Sequence, residues 1–117
     1  MLLRKIIIPC KISLNPRDYS WSLFIGHLVL EKLLKAHYVR SNAKHPIFIH
    51  DLLRLTTKTN LSVTEEFKDW LDEITTFNLN VRYANYKKDF HQLCTKEFSE
   101  TWGKRIEELR KWLISEL

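Results

Sequence analysis

Apolar residues recur at three- and four-residue spacing through most of the chain after residue 18, and that period predicts helices. Asp18 or Ser20 can cap a first helix, which Leu23, Phe24, Leu28, Leu30, Leu33, Leu34 and Tyr38 carry to about Val39. Apolar side chains fall nearly all round it, so it is expected to be the central, most buried element of a bundle. The polar stretch "RSNAKHP" follows as a loop, because Pro46 forbids simple continuation of the helix. A short second helix is expected from about Ile49 to Thr57, with Leu52, Leu53 and Leu55 facing inward.

Ser62 and Glu65 have the spacing of a capping box and open a third helix. Phe67, Trp70, Leu71, Ile74 and Phe77 form its stripe, and it should end near Val81. "RYANYKKDFHQLC" has little periodicity and reads as a connector. A last helix runs from about Lys96 to Glu116 on Phe98, Trp102, Ile106, Leu109 and Leu113, with Glu107 and Lys111 as a surface pair. The opening "LLRKIIIPCKISL" is different: rich in β-branched residues, broken by Pro9 and closed by "NPRD". It reads as a short strand or an extended arm. The expected fold is all-α, antiparallel and bundle-like.

Composition narrows this picture only a little. The 117 residues suit one domain over 1–117, with an atypical segment at 1–17 and a bundle at 18–117. Two Gly and three Pro leave few turns, which agrees with long helices. No apolar run approaches membrane-spanning length, and the opening lacks a small-residue cleavage site, so a cytoplasmic location is expected. Cys10 and Cys94 lack CxxC spacing and are expected to be free thiols. A net charge of +5 permits an anionic partner without requiring one.

The candidate chemistry lies on the central helix. Ser20, Phe24, His27, Glu31, Lys35 and Tyr38 share one sector at about 100° per residue. His27 to Glu31 and Glu31 to Lys35 are both i,i+4 pairs. The row is either a solvated face or satisfied seam between helices, or else part of a subunit interface or ligand groove. At the start of the second helix, Asp51 favours the helix N-terminus by charge, and His50 can fold back onto Glu31. Glu31 is expected to be ionised and held between Lys35 and His27 or His50. His27, His37, His45, His50 and Glu31 lack the spacing of a metal box such as HExxH, so neither a metal nor a cofactor is expected. There is no Gly-rich phosphate loop and no GxSxG.

Three strings, taken in order, resemble a known family. They are the H-x3-EK-x2-KA of "HLVLEKLLKAHY" (His27, Glu31, Lys32, Lys35, Ala36), the HDL at His50 to Leu52, and the RY at Arg82 and Tyr83. Over about residues 19–117 the chain resembles the HEPN domain family (higher eukaryotes and prokaryotes nucleotide-binding), in its stand-alone prokaryotic type. The resemblance implies an up-and-down four- or five-helix bundle that commonly pairs as a homodimer. It also implies a frequent companion, a minimal nucleotidyltransferase, in a two-component module of toxin–antitoxin type. His27, Glu31, Lys35, His50, Asp51, Arg82 and Tyr83 would then line a cleft or dimer face.

Many HEPN proteins are metal-independent ribonucleases bearing an Arg followed, after four to six residues, by a His. Here Arg82 and His91 have eight residues between them, too many; Arg40 and His45 have four between them but straddle a helix end and a loop. The segment before Asp18 also does not read as the amphipathic first helix of the family. Three functions therefore compete. One is a nucleotide-binding or accessory partner of a nucleotidyltransferase. Another is a ribonuclease in which Arg82 with His91, or Arg40 with His45, meets a phosphate, with His moving protons and Arg stabilising charge. The third is a structural interaction domain in which Trp21, Trp70, Trp102 and Trp112 are core and interface.

Overall fold

A computed structural model describes residues 19–42, 50–82 and 90–117. Four helices account for most of them: α1 (Tyr19–Asn42), α2 (Leu52–Thr57), α3 (Glu65–Arg82) and α4 (Lys96–Ser115). Among the described residues there is no strand, and the all-α bundle is as expected. The readings of residues 1–17, of "AKHPIFI" and of residues 83–89 fall outside the described residues.

The central helix is α1, and it packs against each of the other three. Leu23, Leu30, Leu33 and Leu34 are sealed from solvent and meet Leu71, Ile74 and Phe77 of α3 and Ile106, Leu109 and Leu113 of α4. Each such leucine contributes about 1.5–3 kcal/mol on leaving water. Gly26 sits against Ile106, where an added Cβ would lie 2.9 Å from the Ile106 Cδ1. Gly26 thus lets α1 and α4 approach closely at this turn. Ring contacts of Phe77 with Phe98 and Trp102, and of Phe67 with Trp112, show α3 and α4 running antiparallel.

The helix ends correct several sequence expectations. Helix α1 runs on to Asn42, past Val39, because no proline intervenes before Pro46. Asp51 precedes α2 instead of lying in its first turn: it is the N-cap, and its side chain accepts from the Arg54 N–H at 3.2 Å. Helix α3 is capped by Thr64, whose hydroxyl accepts from the Phe67 N–H at 3.2 Å, and not by Ser62. Two glutamates, Glu65 and Glu66, then face the positive end of the helix. Thr95 caps α4 in the same way, accepting from the Phe98 N–H. Residues 90–93 of the expected connector form a helical turn that buries Phe90 against Phe77.

Two polar contacts run counter to the surface pattern. Glu107 pairs with Arg110, accepting from its Nε at 3.1 Å on both carboxylate oxygens, where a pair with Lys111 was expected. Buried His37 on α1 donates its Nε2–H to the Leu113 carbonyl at 2.8 Å. That carbonyl lies among the last four of α4, which have no partner within the helix. His37→Ala should therefore strand a buried acceptor and cost about 1–3 kcal/mol in chemical denaturation, with an unchanged m-value.

Candidate functional site

The residues from His50 to Leu52 are pinned to two helices at once. From α1, His27 donates its Nε2–H to the His50 backbone carbonyl at 3.1 Å. The Glu31 carboxylate accepts from His50 Nδ1–H at 2.7 Å. From α3, the Thr75 hydroxyl accepts the Leu52 N–H at 3.0 Å and itself donates to the Leu71 carbonyl. The first N–H groups of α2, which no helical carbonyl can reach, are thereby satisfied by Thr75 and Asp51.

The row on α1 is thus a seam, and its partners are settled. Glu31 is held by His50 and by Lys35, whose Nζ donates to Oε2 at 3.4 Å. His27 donates to the His50 carbonyl, so it ties α1 to the backbone of the segment that Glu31 holds by the His50 ring. Burial grades outward through the seam. His27 is sealed, the Glu31 side chain is 7% exposed, that of Lys35 19% and that of His50 44%. Since Nδ1 carries the proton donated to Glu31, the Nε2 edge of the ring is left to the solvent side. A carboxylate-oriented imidazole of this kind can accept or donate a proton, or bond a polar ligand, without first having to be ordered.

The other candidates are not gathered here. Asp51 is committed to capping α2. Arg40 is exposed at the C-terminal end of α1, beside a cleft of about 260 Å³ that His37, Ser41, Asn60 and Glu116 also line. His91 is exposed in the turn before α4. His45, Tyr83 and the side chain of Arg82 lie outside the described residues, so neither Arg-His pair can be measured. Among the described residues no three His, Cys, Asp or Glu side chains are grouped as a metal site. Cys94 is a buried free thiol; Cys10 lies outside the described residues.

Sequence reasoning missed His37 and Arg105. The first was an unassigned histidine on an apolar helix. Arg105 stands over the rings of Trp70 and Trp102, with its Cζ 5.3 and 4.6 Å from their centroids. An Arg three residues after a core Trp on the same helix was the available signal for it. Trp102 is core as expected, Trp70 and Trp112 are half-buried, and Trp21 is 50% exposed.

The structure is thus a helical bundle whose central helix carries a His-x3-Glu-x3-Lys row beside a His-Asp pair that leads into the next helix. The chain belongs to the HEPN domain family, whose family model matches residues 8–117. That match takes in part of the segment before α1 as well as the bundle. No curated protein and no solved structure matches the chain. No helix among the described residues is long and apolar enough to cross a membrane.

Proposed function

We propose that this HEPN-domain protein is a cytoplasmic, homodimeric nucleotide-binding or accessory component of a nucleotidyltransferase/HEPN module of toxin–antitoxin type. The observation that carries the reading is His50, fixed at both its ring and its backbone by Glu31 and His27, yet open to solvent at its outer edge. Membership of the family supports the same reading. Lys35, beside Glu31, adds a cation within the same turn of α1. Together they offer a donor, an acceptor and a positive charge to a polar, anionic ligand.

The test is calorimetric titration of the purified protein with a panel of nucleoside mono-, di- and triphosphates. At least one nucleotide should bind, and His50→Ala should weaken it about tenfold, the loss of one good hydrogen bond, measured well below the melting transition because the variant also loses the Glu31 contact. An empty panel, or no nucleotide weakened by the substitution, would count against the reading. Sedimentation should show a two-fold dimer at micromolar concentration.

A second reading, a metal-independent ribonuclease, draws on the same geometry. A Glu-oriented imidazole suits the proton transfers of 2′-hydroxyl attack on a phosphodiester. RNA cleavage persisting in a metal chelator and abolished by His50→Ala would favour it. Cleavage that survives the substitution would not.

A further inference from the structure

A second site lies away from the seam, in the groove between α3 and α4. It has a volume of about 460 Å³ and is lined by Trp70, Glu97, Glu100, Thr101, Lys104 and Arg105. That is room for a small metabolite of mononucleotide size. The groove exists because α3 and α4 meet through large aromatic side chains that hold their backbones apart.

Arg105 is the reason to expect a ligand. It is half-buried, its guanidinium stands over two indole rings, and it makes no hydrogen bond or ion pair with any described residue. Stacking fixes a guanidinium in place while leaving its in-plane N–H donors to bond something else, and their fork geometry matches a phosphate or carboxylate. Thr101 lies one turn earlier on α4, at i−4 from Arg105, and Lys104 directly precedes it; both line the same groove. A hydroxyl, an ammonium and a guanidinium therefore line its C-terminal part along α4.

The other end is acidic. Glu97 and Glu100 are exposed, and they too have no hydrogen bond or ion pair among the described residues. Two carboxylates repel extended polyanions but accept hydrogen bonds from hydroxyls, as acidic residues do from ribose. A polyphosphate does not suit this pattern; a single phosphate attached to a hydroxylated body does. We infer that the groove is a binding site for a phosphomonoester of a sugar, whether free or as part of a nucleoside monophosphate. Its phosphate sits on Arg105, Lys104 and Thr101, and its hydroxyls face Glu97 and Glu100. Trp70 is the apolar wall against which a base would add contact.

Calorimetric titration with ribose 5-phosphate, AMP, ATP and adenosine tests this, for intact protein and for Lys104→Glu and Arg105→Gln. Ribose 5-phosphate and AMP should saturate one site with a Kd of about 1 mM or tighter. AMP should bind more tightly than ribose 5-phosphate if it is the nucleotide that the site takes, and equally if the sugar phosphate suffices. Adenosine should not bind, and ATP should bind more weakly than AMP. Both substitutions should weaken the phosphomonoesters about tenfold or more. Lys104 is exposed and unengaged, so Lys104→Glu keeps the test valid should Arg105→Gln disturb the aromatic packing. His50→Ala should leave ribose 5-phosphate binding unchanged, which separates the groove from the seam. No saturation by either monophosphate, wild-type affinity in Lys104→Glu, or loss of ribose 5-phosphate binding in His50→Ala would overturn the assignment.

Discussion

Leu30→Asp is expected to unfold the protein. Leu30 is sealed on α1, within the hydrophobic core that α1 shares with α3 and α4. Losing a buried leucine costs about 2–5 kcal/mol, and enclosing a carboxylate without partners adds several more. The sum rivals the whole stability of a domain this size, about 5–15 kcal/mol. Circular dichroism should show loss of the cooperative melt. Lys32→Asp, on the exposed side of the same helix, should change stability by only about 0.5 kcal/mol. A cooperative melt for Leu30→Asp would remove α1 from the centre of the bundle.

Glu31→Ala is expected to act on one segment before it acts on the whole. It removes the acceptor shared by His50 and Lys35 and leaves the half-buried Lys35 ammonium without its counter-charge. A charge-assisted hydrogen bond with a part-buried pair contributes about 2–3 kcal/mol here, discounted for the exposure of His50. Helix α2 has only six residues and owes its position to the seam, to Thr75 and to the Asp51 cap. Its amides should therefore exchange about thirtyfold faster or more, while those of α3 and α4 change less. Uniform acceleration across all four helices would mean that the seam is simply core. An unchanged α2 would mean that the seam does not hold it.

The three long helices were readable because each is dictated by a local repeat. The stripe Phe67, Leu71, Ile74, Phe77 and the stripe Trp102, Ile106, Leu109, Leu113 need only a neighbour to bury against, whatever its identity. The Glu31–Lys35 pair was equally local. Contact between His50 and Glu31 was readable because the loop after α1 has to return the chain along it. For His27, spacing offered only Glu31, and the carbonyl it donates to belongs to a residue 23 positions on.

Capping depended on the backbone instead of the repeat. Thr64 prevailed over Ser62 because its hydroxyl lies three residues before the Phe67 N–H, in a chain already turning into α3. His37 with Leu113 and Arg105 with Trp70 join residues far apart in the chain, and neither side of either pair signals its partner locally.

Glu31 fixes His50 with its proton on Nδ1 and its Nε2 edge outward. Long-range proton–nitrogen correlation of the imidazole rings at mildly alkaline pH reads this directly. The account predicts His50 as the Nδ1–H tautomer, with His27 and His37 both as Nε2–H, since each donates that proton to a backbone carbonyl. A His50 ring that averages between tautomers, or that carries its proton on Nε2 like an exposed histidine in water, would contradict it.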